Sequence, residues 1–327
     1  MDFSFTEDQE TLRREARAFL AERFPAERVA ELADSDDGWD PSSWKELAEL
    51  GWLGVSIPED QGGAGLGFLE EAVLLEELGR ALYSGPYFST VALALPALSP
   101  EQQADVAAGA ARWSAEVDGL VPDLAAVDWV VRDGTAIRSQ GQTLPTMDAT
   151  RRLGRLAPEA EDGPAVGALD RSRVLAALAV EAVGVAQRAL ELGIEHARTR
   201  TQFGRPIGVY QAVSHTLADT YVETELARSL AYWAAWSVAE SDVQAAVAAA
   251  AAKSFAADAA VAACERAIQV HGGIGFTWEH ILHRYYKRAQ WIQAFGGSAA
   301  VLRAEVAGAV LEGDDAAALA PDAVAAG

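Results

Sequence analysis

An arginine-rich stretch, RTRTQFGRPIGVYQ at residues 198–211, contains the side chains of this chain best suited to bind a phosphorylated ligand. A guanidinium at a helix corner, such as that of Arg200, can give two parallel hydrogen bonds to a diphosphate. An aromatic neighbour such as Phe203 can support a ring or a ribose. The alternative is a solvated helix end, where arginines interact favourably with the helix dipole. Taken alone, the stretch leaves both interpretations open.

A glycine-rich stretch, QVHGGIGF at residues 269–276, is the second candidate site. Adjacent glycines let a backbone approach a phosphate or an adenine closely, and the Gln269 amide can bind polar edges. The stretch is not a Rossmann fingerprint, because Trp278 stands at the third glycine position and a helix precedes it. The alternative is a glycine C-cap followed by a turn between two helices.

A possible metal site is the third candidate, because two histidines three residues apart on a helix can share one ion. His280 and His283 have this spacing, and Glu279 precedes them. No third strong ligand accompanies them, so we predict no metal site and expect polar surface residues. His196 and His215 are isolated in sequence and are expected to make local hydrogen bonds.

The elements that must position these stretches are mainly α-helical. Residues 1–97 show helical periodicity and predict an N-terminal helical domain. Short β-type runs between Gly, Pro and Asp predict a reduced, small β middle domain at 98–172. Long apolar-faced helices with short connections predict a C-terminal four-helix bundle at 173–312. Residues 313–327 are rich in Ala, Asp and Gly, and we expect a disordered tail.

Several local features of these elements are specific enough to test. Thr6 is predicted to cap the first helix. Ser42 is predicted to cap a later one. A β-type run is read at 166–169, and Tyr221 is placed on the inward face of the helix that follows the arginine-rich stretch. The last helix is predicted at about 278–292.

Composition excludes several classes of function. The chain has 327 residues, with 26 basic and 48 acidic side chains and a net charge of −22, so phosphate backbones and anionic lipid repel it. The longest apolar stretch, 243–263, is interrupted by Lys253 and Asp258 and predicts a buried bundle helix, not a membrane span. Residues 1–5 contain no apolar run typical of a signal peptide. We therefore expect a cytoplasmic protein that binds no nucleic acid and does not insert into a membrane.

Taken together and in order, these motifs resemble the flavin-dependent acyl-CoA dehydrogenase family over almost the whole chain. FTEDQ at 5–9 and LGWLGVSIPE at 50–59 are similar to the N-terminal helical domain of that family. AVGVAQRAL at 182–190, RTQFGRPI at 200–207 and QVHGGIG at 269–275 are similar to its C-terminal bundle. Any one motif is only moderately specific, whereas the ordered set is strong.

The resemblance implies FAD as the cofactor, because in the family two bundles face each other and each reaches the FAD held mainly by its neighbour. It assigns Arg200 to the pyrophosphate of FAD. Gln269 and Gly273 would approach the same cofactor from the following turn. The surrounding flavin and ADP pocket would be formed by Gln202, Phe203, Ile207 and Gln211.

The chain departs from the family at the catalytic base. The family removes the α-proton of an acyl-CoA thioester with a carboxylate, and the β-hydride passes to flavin N5. Its commonest base position falls in the loop QAFGGS at 293–298, and its alternative position falls at Val174. Neither position is acidic, so we predict no catalytic residue in this chain. Asp170 and Glu181 are the less favoured alternatives for a relocated base.

Two further observations concern the flavin ring and Glu279. The family holds the isoalloxazine ring with an acidic–Gly–Ala–Gly–Ser–Asp motif and a Lys–x–Trp–Ile segment in its middle domain. Neither is present at 98–172, which is too short for them. The family often has an acidic residue at the position of Glu279 that is not the base.

The sequence is interpreted as the shorter, non-catalytic subunit of an α2β2 acyl-CoA dehydrogenase. It would help to form the FAD site of a longer catalytic partner and act with it on an acyl-CoA, including bulky substrates such as steroid side-chain thioesters. The expected acceptor is an electron-transfer flavoprotein or a similar protein. Two alternatives stay open: a self-sufficient homo-oligomeric dehydrogenase with a relocated base, and a flavin-free scaffold or binding protein of the same fold.

Overall fold

A computed structural model describes residues 5–312 of the chain and shows a mainly α-helical protein with a small sheet region. The predicted tail at 313–327 lies outside the described residues. The division into three domains stays a prediction, because the elements alone do not fix its boundaries. The N-terminal helices are α1 (Glu7–Arg23), α2 (Ala26–Asp34), α3 (Pro41–Glu49) and α4 (Phe68–Arg80).

Local capping explains where the N-terminal helices begin. The predicted capping box of α1 is present: the Thr6 hydroxyl accepts the Gln9 N–H at 3.2 Å, and the Gln9 side chain accepts the Thr6 N–H at 3.0 Å. The predicted cap of α3 was wrong by two residues. Asp40, not Ser42, is the N-cap, because its carboxylate accepts the Ser42 N–H at 2.9 Å and Pro41 fits the first helical position.

The middle region begins with a helix and continues as two small sheets. The helix α5 (Pro100–Ala107) precedes the strands. One sheet has the order β1–β3–β4–β7, with β1 and β3 parallel, and the other is antiparallel with the order β2–β6–β5. The strands are β1 (Trp113–Ala115), β2 (Val121–Pro122), β3 (Trp129–Arg132), β4 (Thr135–Arg138), β5 (Gly141–Leu144), β6 (Leu153–Leu156) and β7 (Asp162–Ala165).

The prediction for the last of these strands was wrong, because the sequence indicated a β-type run at 166–169. β7 ends at Ala165, before that run begins. Beyond it, the Gly167 N–H donates to the Ala97 carbonyl at 2.6 Å. The run therefore turns away from the sheet after Val166, whose N–H still donates to the Gly134 carbonyl at 2.9 Å. Only Val166 and Leu169 are half-buried, so its apolar composition, and not burial in a sheet, made it resemble a strand.

The C-terminal half is a helical bundle, as predicted. Its long helices are α6 (Arg171–Thr199), α7 (Gln211–Ala239) and α8 (Ala245–His271), and the short strands β8 (Thr201–Gln202) and β9 (Arg205–Pro206) lie between α6 and α7. They are followed by α9 (Leu282–Ala294) and α10 (Ala299–Glu312).

Two predictions about this bundle were wrong. Tyr221 on α7 is 55% exposed rather than inward. The last described helix is α10, whereas the sequence indicated a final helix at 278–292. Gly296 and Gly297, both with positive φ, end the preceding helical run, and the Ser298 hydroxyl accepts the Val301 N–H at the start of α10.

The apolar helix α8 lies inside the bundle. Residues Ala245–Phe276 are long and apolar enough to cross a membrane, but 72% of their most apolar window is buried within the protein. Lys253, in the middle of α8, is fully buried and donates hydrogen bonds to the Gln293 and Gly297 carbonyls. Burial lowers the pKa of Lys253 to about 8.

Close glycine contacts join the N-terminal helices to the bundle. A Cβ on Gly184 of α6 would lie 2.0 Å from the Glu76 carbonyl oxygen of α4, and one on Gly79 would lie 2.5 Å from the Glu181 carbonyl oxygen. Only glycine lets the two backbones approach this closely. This contact fixes the position of α4 against α6.

Candidate functional site

The arginine-rich stretch forms a corner at the end of α6. Arg200 is the C-cap residue, and its N–H donates to the His196 carbonyl at 2.8 Å. The chain then forms the β8–β9 hairpin, whose two turn residues, Phe203 and Gly204, have φ values of 51° and 78°. A two-residue turn with both φ values positive matches the twist of a hairpin. It projects the Phe203 side chain into solvent, where it is 91% exposed.

The seven residues that the resemblance assigns to FAD all lie at the surface. Ile207 is half-buried, and the other six are exposed; they are Arg200, Gln202, Phe203, Gln211, Gln269 and Gly273. Surface positions of this kind suit a ligand that a second chain also contacts. Their roles toward FAD stay predictions.

The two candidate stretches meet at one end of the bundle. His196 lies one turn before Arg200 on α6, and His271 follows Gln269 at the end of α8. Their imidazole rings stack with centroids 4.2 Å apart. The fold therefore brings together residues that are about 70 positions apart in the sequence, as a shared cofactor site requires.

The residues at this corner fit a dinucleotide diphosphate by their chemistry. Four polar side chains at this corner make no hydrogen bond to any other described residue: those of Arg200, Gln202, Gln211 and Gln269. One guanidinium group and three amides are therefore available to a ligand. A Cβ built on Gly272 or Gly273 meets nothing within 4 Å, so the turn is open to close approach. Guanidinium and backbone donors beside such a turn are what a pyrophosphate needs.

Both positions at which the family places its base face one cavity. Val174 near the start of α6 and Gly296 after α9 line a cavity of about 330 Å³, together with Leu175 and Gly297. None of these four side chains can accept a proton. The cavity therefore lacks a base at either place that the resemblance indicates.

The backbone at Gly296 explains why a carboxylate does not fit easily there. Gly296 has a φ of 73°, and an added Cβ would lie 3.2 Å from Leu178 Cδ1 and 3.5 Å from Leu175 Cδ2. A longer side chain at this position would be strained and would crowd α6. Lys253 also holds the loop that contains Gly296, because its ammonium group donates hydrogen bonds to the Gln293 and Gly297 carbonyls.

Two carboxylates that the sequence analysis missed also line this cavity. Glu116 and Asp118 follow β1 and line the cavity together with Val174 and Arg171. Glu116 is half-buried, whereas Asp118 is exposed and has a φ of 52°. The only sequence signal was their place at the end of a predicted β-type run at 113–117, which contains Glu116 and is followed directly by Asp118. Water access makes them poor general bases, because a base in this chemistry needs a desolvated pocket.

Glu181 is a structural ion-pair residue, which removes it as a relocated base. Its carboxylate accepts hydrogen bonds from Arg151 at 2.5 and 2.8 Å and from Arg288 at 2.7 Å. Burial alone would raise the pKa of Glu181, but these two guanidinium groups lower it below its ordinary value. Asp170, the other alternative, is the N-cap of α6 and accepts the Arg173 N–H.

The buried ion pairs around Glu181 form a network. Arg288, which is fully buried, donates to Asp148 at 2.5 Å and to the Thr150 hydroxyl at 2.7 Å. Arg151 also lies over the rings of Phe88 and Trp291, at 4.5 and 4.9 Å from their centroids. The network fastens the loop at 148–151 to α6 and α9.

Within residues 5–312 the histidines are not grouped with other metal-ligating side chains, and the absence of a metal site stays a prediction. No group of three or more His, Cys, Asp or Glu side chains there has the geometry to hold a metal ion. The His280 ring instead lies against His271 with centroids 4.5 Å apart, and the His283 ring contacts Trp278 edge-on at 4.7 Å. His196, which looked isolated in the sequence, is part of the same corner.

Comparisons with known proteins agree with this geometry. Family models for the N-terminal and C-terminal domains of acyl-CoA dehydrogenases match residues 6–112 and 164–311. The chain is 35% identical to acyl-CoA dehydrogenase IpdE2 of Mycobacterium tuberculosis over 297 residues, which is 86% of this chain and 91% of that protein.

Solved structures show the same architecture. A chain of the ChsE4–ChsE5 complex from Mycobacterium tuberculosis superposes with a TM-score of 0.84 at 26% identity, covering 96% of this chain and all of that one. A chain of a variant of the Tcur3481–Tcur3483 steroid ACAD gives 0.83 at 25% identity, covering 92% and 97%. With two domain models and a relative of similar length matched, the chain belongs to the acyl-CoA dehydrogenase family.

Proposed function

We propose that this chain is the shorter, non-catalytic subunit of an FAD-dependent α2β2 acyl-CoA dehydrogenase. The single observation that carries the proposal is the cavity beside Val174 and Gly296, at which both family base positions meet without a carboxylate. A partner must then supply the base. One structural neighbour is a chain of the ChsE4–ChsE5 complex, which supports a heteromeric complex. Another is a chain of the Tcur3481–Tcur3483 steroid ACAD, which supports a bulky acyl-CoA such as a steroid side-chain thioester.

In this proposal the chain completes the FAD site of the longer subunit. FAD supplies the acceptor for the hydride that leaves the β-carbon of the acyl-CoA. The Arg200 guanidinium binds the pyrophosphate, and Gln202, Gln211 and Gln269 offer amides to the surrounding polar groups. Phe203 and Ile207 cover the apolar faces, and the open turn at Gly273 lets the backbone approach.

The remaining parts of the proposal concern the setting of the complex. The electrons leave through an electron-transfer flavoprotein or a similar acceptor, and the complex works in the cytoplasm. The high acidic excess of the chain opposes contact with nucleic acid or anionic membranes.

One observation favours a second candidate function. Glu116 faces the same cavity as Val174, so a self-sufficient enzyme with a relocated base has a candidate residue. Expression without a partner separates the two functions: a yellow homo-oligomer that oxidises acyl-CoA supports the second, and a colourless protein that gains flavin only with a partner supports the first. A chain that binds no flavin in either case supports a scaffold.

Arg200→Ala is expected to weaken FAD binding by the partnered complex about ten- to a hundredfold. A charge-assisted hydrogen-bonded contact of this kind contributes about 1.5–3 kcal/mol. The measurement is a titration of the apo-complex with FAD, with far-ultraviolet circular dichroism to show that the bundle stays folded. Arg198→Ala is the matched control, because Arg198 is also exposed at the same helix end. Equal FAD affinity in the two variants would count against the assignment of Arg200.

The complex is expected to contain two copies of each subunit and two FAD molecules, not four. The chain lacks the family motifs that hold the isoalloxazine ring, so each FAD needs one longer subunit. Exposed apolar side chains on α7, including Tyr221, Val222 and Leu226, leave a surface that an assembly would cover. Light scattering combined with flavin absorbance gives mass and stoichiometry together. Four FAD per tetramer would contradict the non-catalytic role.

A further inference from the structure

Four of the five histidines of the chain lie at one corner of the bundle, although they come from different elements. His196 is on α6, His271 ends α8, His280 precedes α9 and His283 is on α9. The stacked and tilted rings form a row from His196 through His271 to His280, with centroid distances of 4.2 and 4.5 Å. The fifth histidine, His215, is exposed on α7 and outside this row.

The row is adjacent along the chain to residues proposed to bind FAD, and His196 interacts electrostatically with Arg200. His196 precedes Arg200 by one helical turn, and His271 stands between Gln269 and Gly273. A diphosphate bound by Arg200 would therefore bring negative charge close to the stacked pair His196–His271. This step rests on the proposed function.

The charges that face the row are mostly positive. The pKa of His196 is lowered mainly by burial and further by His271 and Arg200. The pKa of His280 is also lowered mainly by burial, and further by His271 and His196. His283 at the far end faces Lys287 and Arg284, with Asp34 as an opposing carboxylate, and its pKa is lowered to about 4, mainly by burial. Glu279 is next to His280 in sequence and is exposed. Burial and the neighbouring cationic groups therefore favour the neutral forms of His196 and His280 when no anion is present.

The hydrogen bonds of the three imidazole rings show which ring nitrogens are available to accept a proton. The His280 Nδ1 accepts the Leu282 N–H at 3.2 Å, so protonation there would break a bond at the start of α9. The His271 Nδ1 donates to the Ala267 carbonyl at 2.8 Å, which leaves its Nε2 as an acceptor without a hydrogen bond to any described residue. His196 makes no side-chain hydrogen bond within residues 5–312. The stacked pair can thus take up a proton without losing a bond.

We propose that the His196–His271 pair couples FAD binding to proton uptake: a proton enters the pair as the diphosphate of FAD binds beside Arg200. The bound anion offsets the repulsion between Arg200 and a protonated His196. The resulting imidazolium then attracts the diphosphate in turn. FAD affinity rises as the pH falls, because the bound state holds more protons than the free state.

Linkage gives the size and sign of the effect. One linked proton changes the affinity by at most about tenfold per pH unit, and the change is confined to the range in which the pair titrates. The diphosphate of FAD has no group that titrates between pH 6 and 8, so the proton must come to the protein. We expect FAD to bind several-fold more tightly at pH 6.5 than at pH 8.

Isothermal titration calorimetry of FAD into the apo-complex tests this proposal. Titrations at pH 6.5 in two buffers with different ionisation enthalpies count the protons that are taken up. The expected result is an uptake of about 0.3–1 proton at pH 6.5 that declines toward zero at pH 8. His271→Gln should abolish the uptake and flatten the pH dependence, whereas the matched control His215→Gln should leave both unchanged.

The outcomes separate this proposal from the proposed function. FAD binding without proton uptake, or uptake that persists in both His271→Gln and His196→Gln, would overturn the coupling and leave the FAD site intact. If the complex binds no FAD at either pH, the proposed function fails and the coupling fails with it. Should His271→Gln not fold, His196→Gln tests the same pair from α6.

Discussion

Turnover of the assembled complex is expected to fall by about 10²–10⁴ when the base carboxylate of the partner subunit is replaced by its amide. It is expected to stay within a few-fold of wild type when the carboxylates of this chain are changed in the same way. The cavity explains the difference, since Val174 and Gly296 line it at the two positions where the resemblance places the base, and neither can remove a proton. The variants of this chain are Glu116→Gln, Asp118→Asn, Asp170→Asn and Glu279→Gln.

Flavin content decides how such an experiment is interpreted. Each variant is assayed at saturating acyl-CoA with excess acceptor, and bound FAD is measured on the same preparation, so that lost cofactor is not mistaken for lost chemistry. Glu116→Gln is the most informative, because Glu116 is the half-buried carboxylate on the cavity wall. A drop of about a hundredfold with FAD retained in any of the four would establish a base in this chain and support the self-sufficient enzyme.

Arg288→Ala is expected to lower the free energy of unfolding by about 3–5 kcal/mol, the largest stability effect we anticipate. The substitution leaves Asp148 without its buried partner and Glu181 with only Arg151. An uncompensated buried carboxylate is far more costly than a lost surface pair. Denaturant unfolding followed by tryptophan fluorescence measures the change.

The control for this substitution is Arg303→Ala, which removes an exposed ion pair with Asp258 and is expected to cost under about 1 kcal/mol. Arg288→Lys keeps the charge but loses the forked donor geometry, so an intermediate loss is expected and the effect remains measurable if Arg288→Ala does not fold. Similar unfolding curves for Arg288→Ala and Arg303→Ala would show that the network contributes little.

The network also gives the protein an acid-labile element. The pKa of Glu181 is lower in the folded chain than its ordinary value, so its contribution to stability is present above about pH 4.3 and declines as the pH falls below that. Protonation of Glu181 at low pH should therefore release the loop at 148–151 from α6 and α9.

Features confined to one element could be predicted from the residues alone. The capping box at Thr6 and Gln9 and the long apolar faces of α6 were correct because they depend on neighbours within a few positions. Motif order was sufficient to indicate the family, and the absence of a carboxylate from 293–298 and from position 174 is a property of the sequence. The misplaced cap at Ser42 and the run at 166–169 are errors of one or a few residues at element ends, where competing caps and contacts decide.

Relations between distant segments required the folded chain. Arg288 meets Asp148 across 140 positions, and the row from His196 to His280 joins the ends of different helices. Glu116 became a candidate only when the fold placed it in the lining of one cavity with Val174 of α6. Local spacing specifies which face of a helix is apolar, but the packing of α6, α8 and α9 against one another specifies which polar groups are desolvated together. Burial and proximity set whether a carboxylate is a base, an ion-pair partner or a cap, and both arise from tertiary packing.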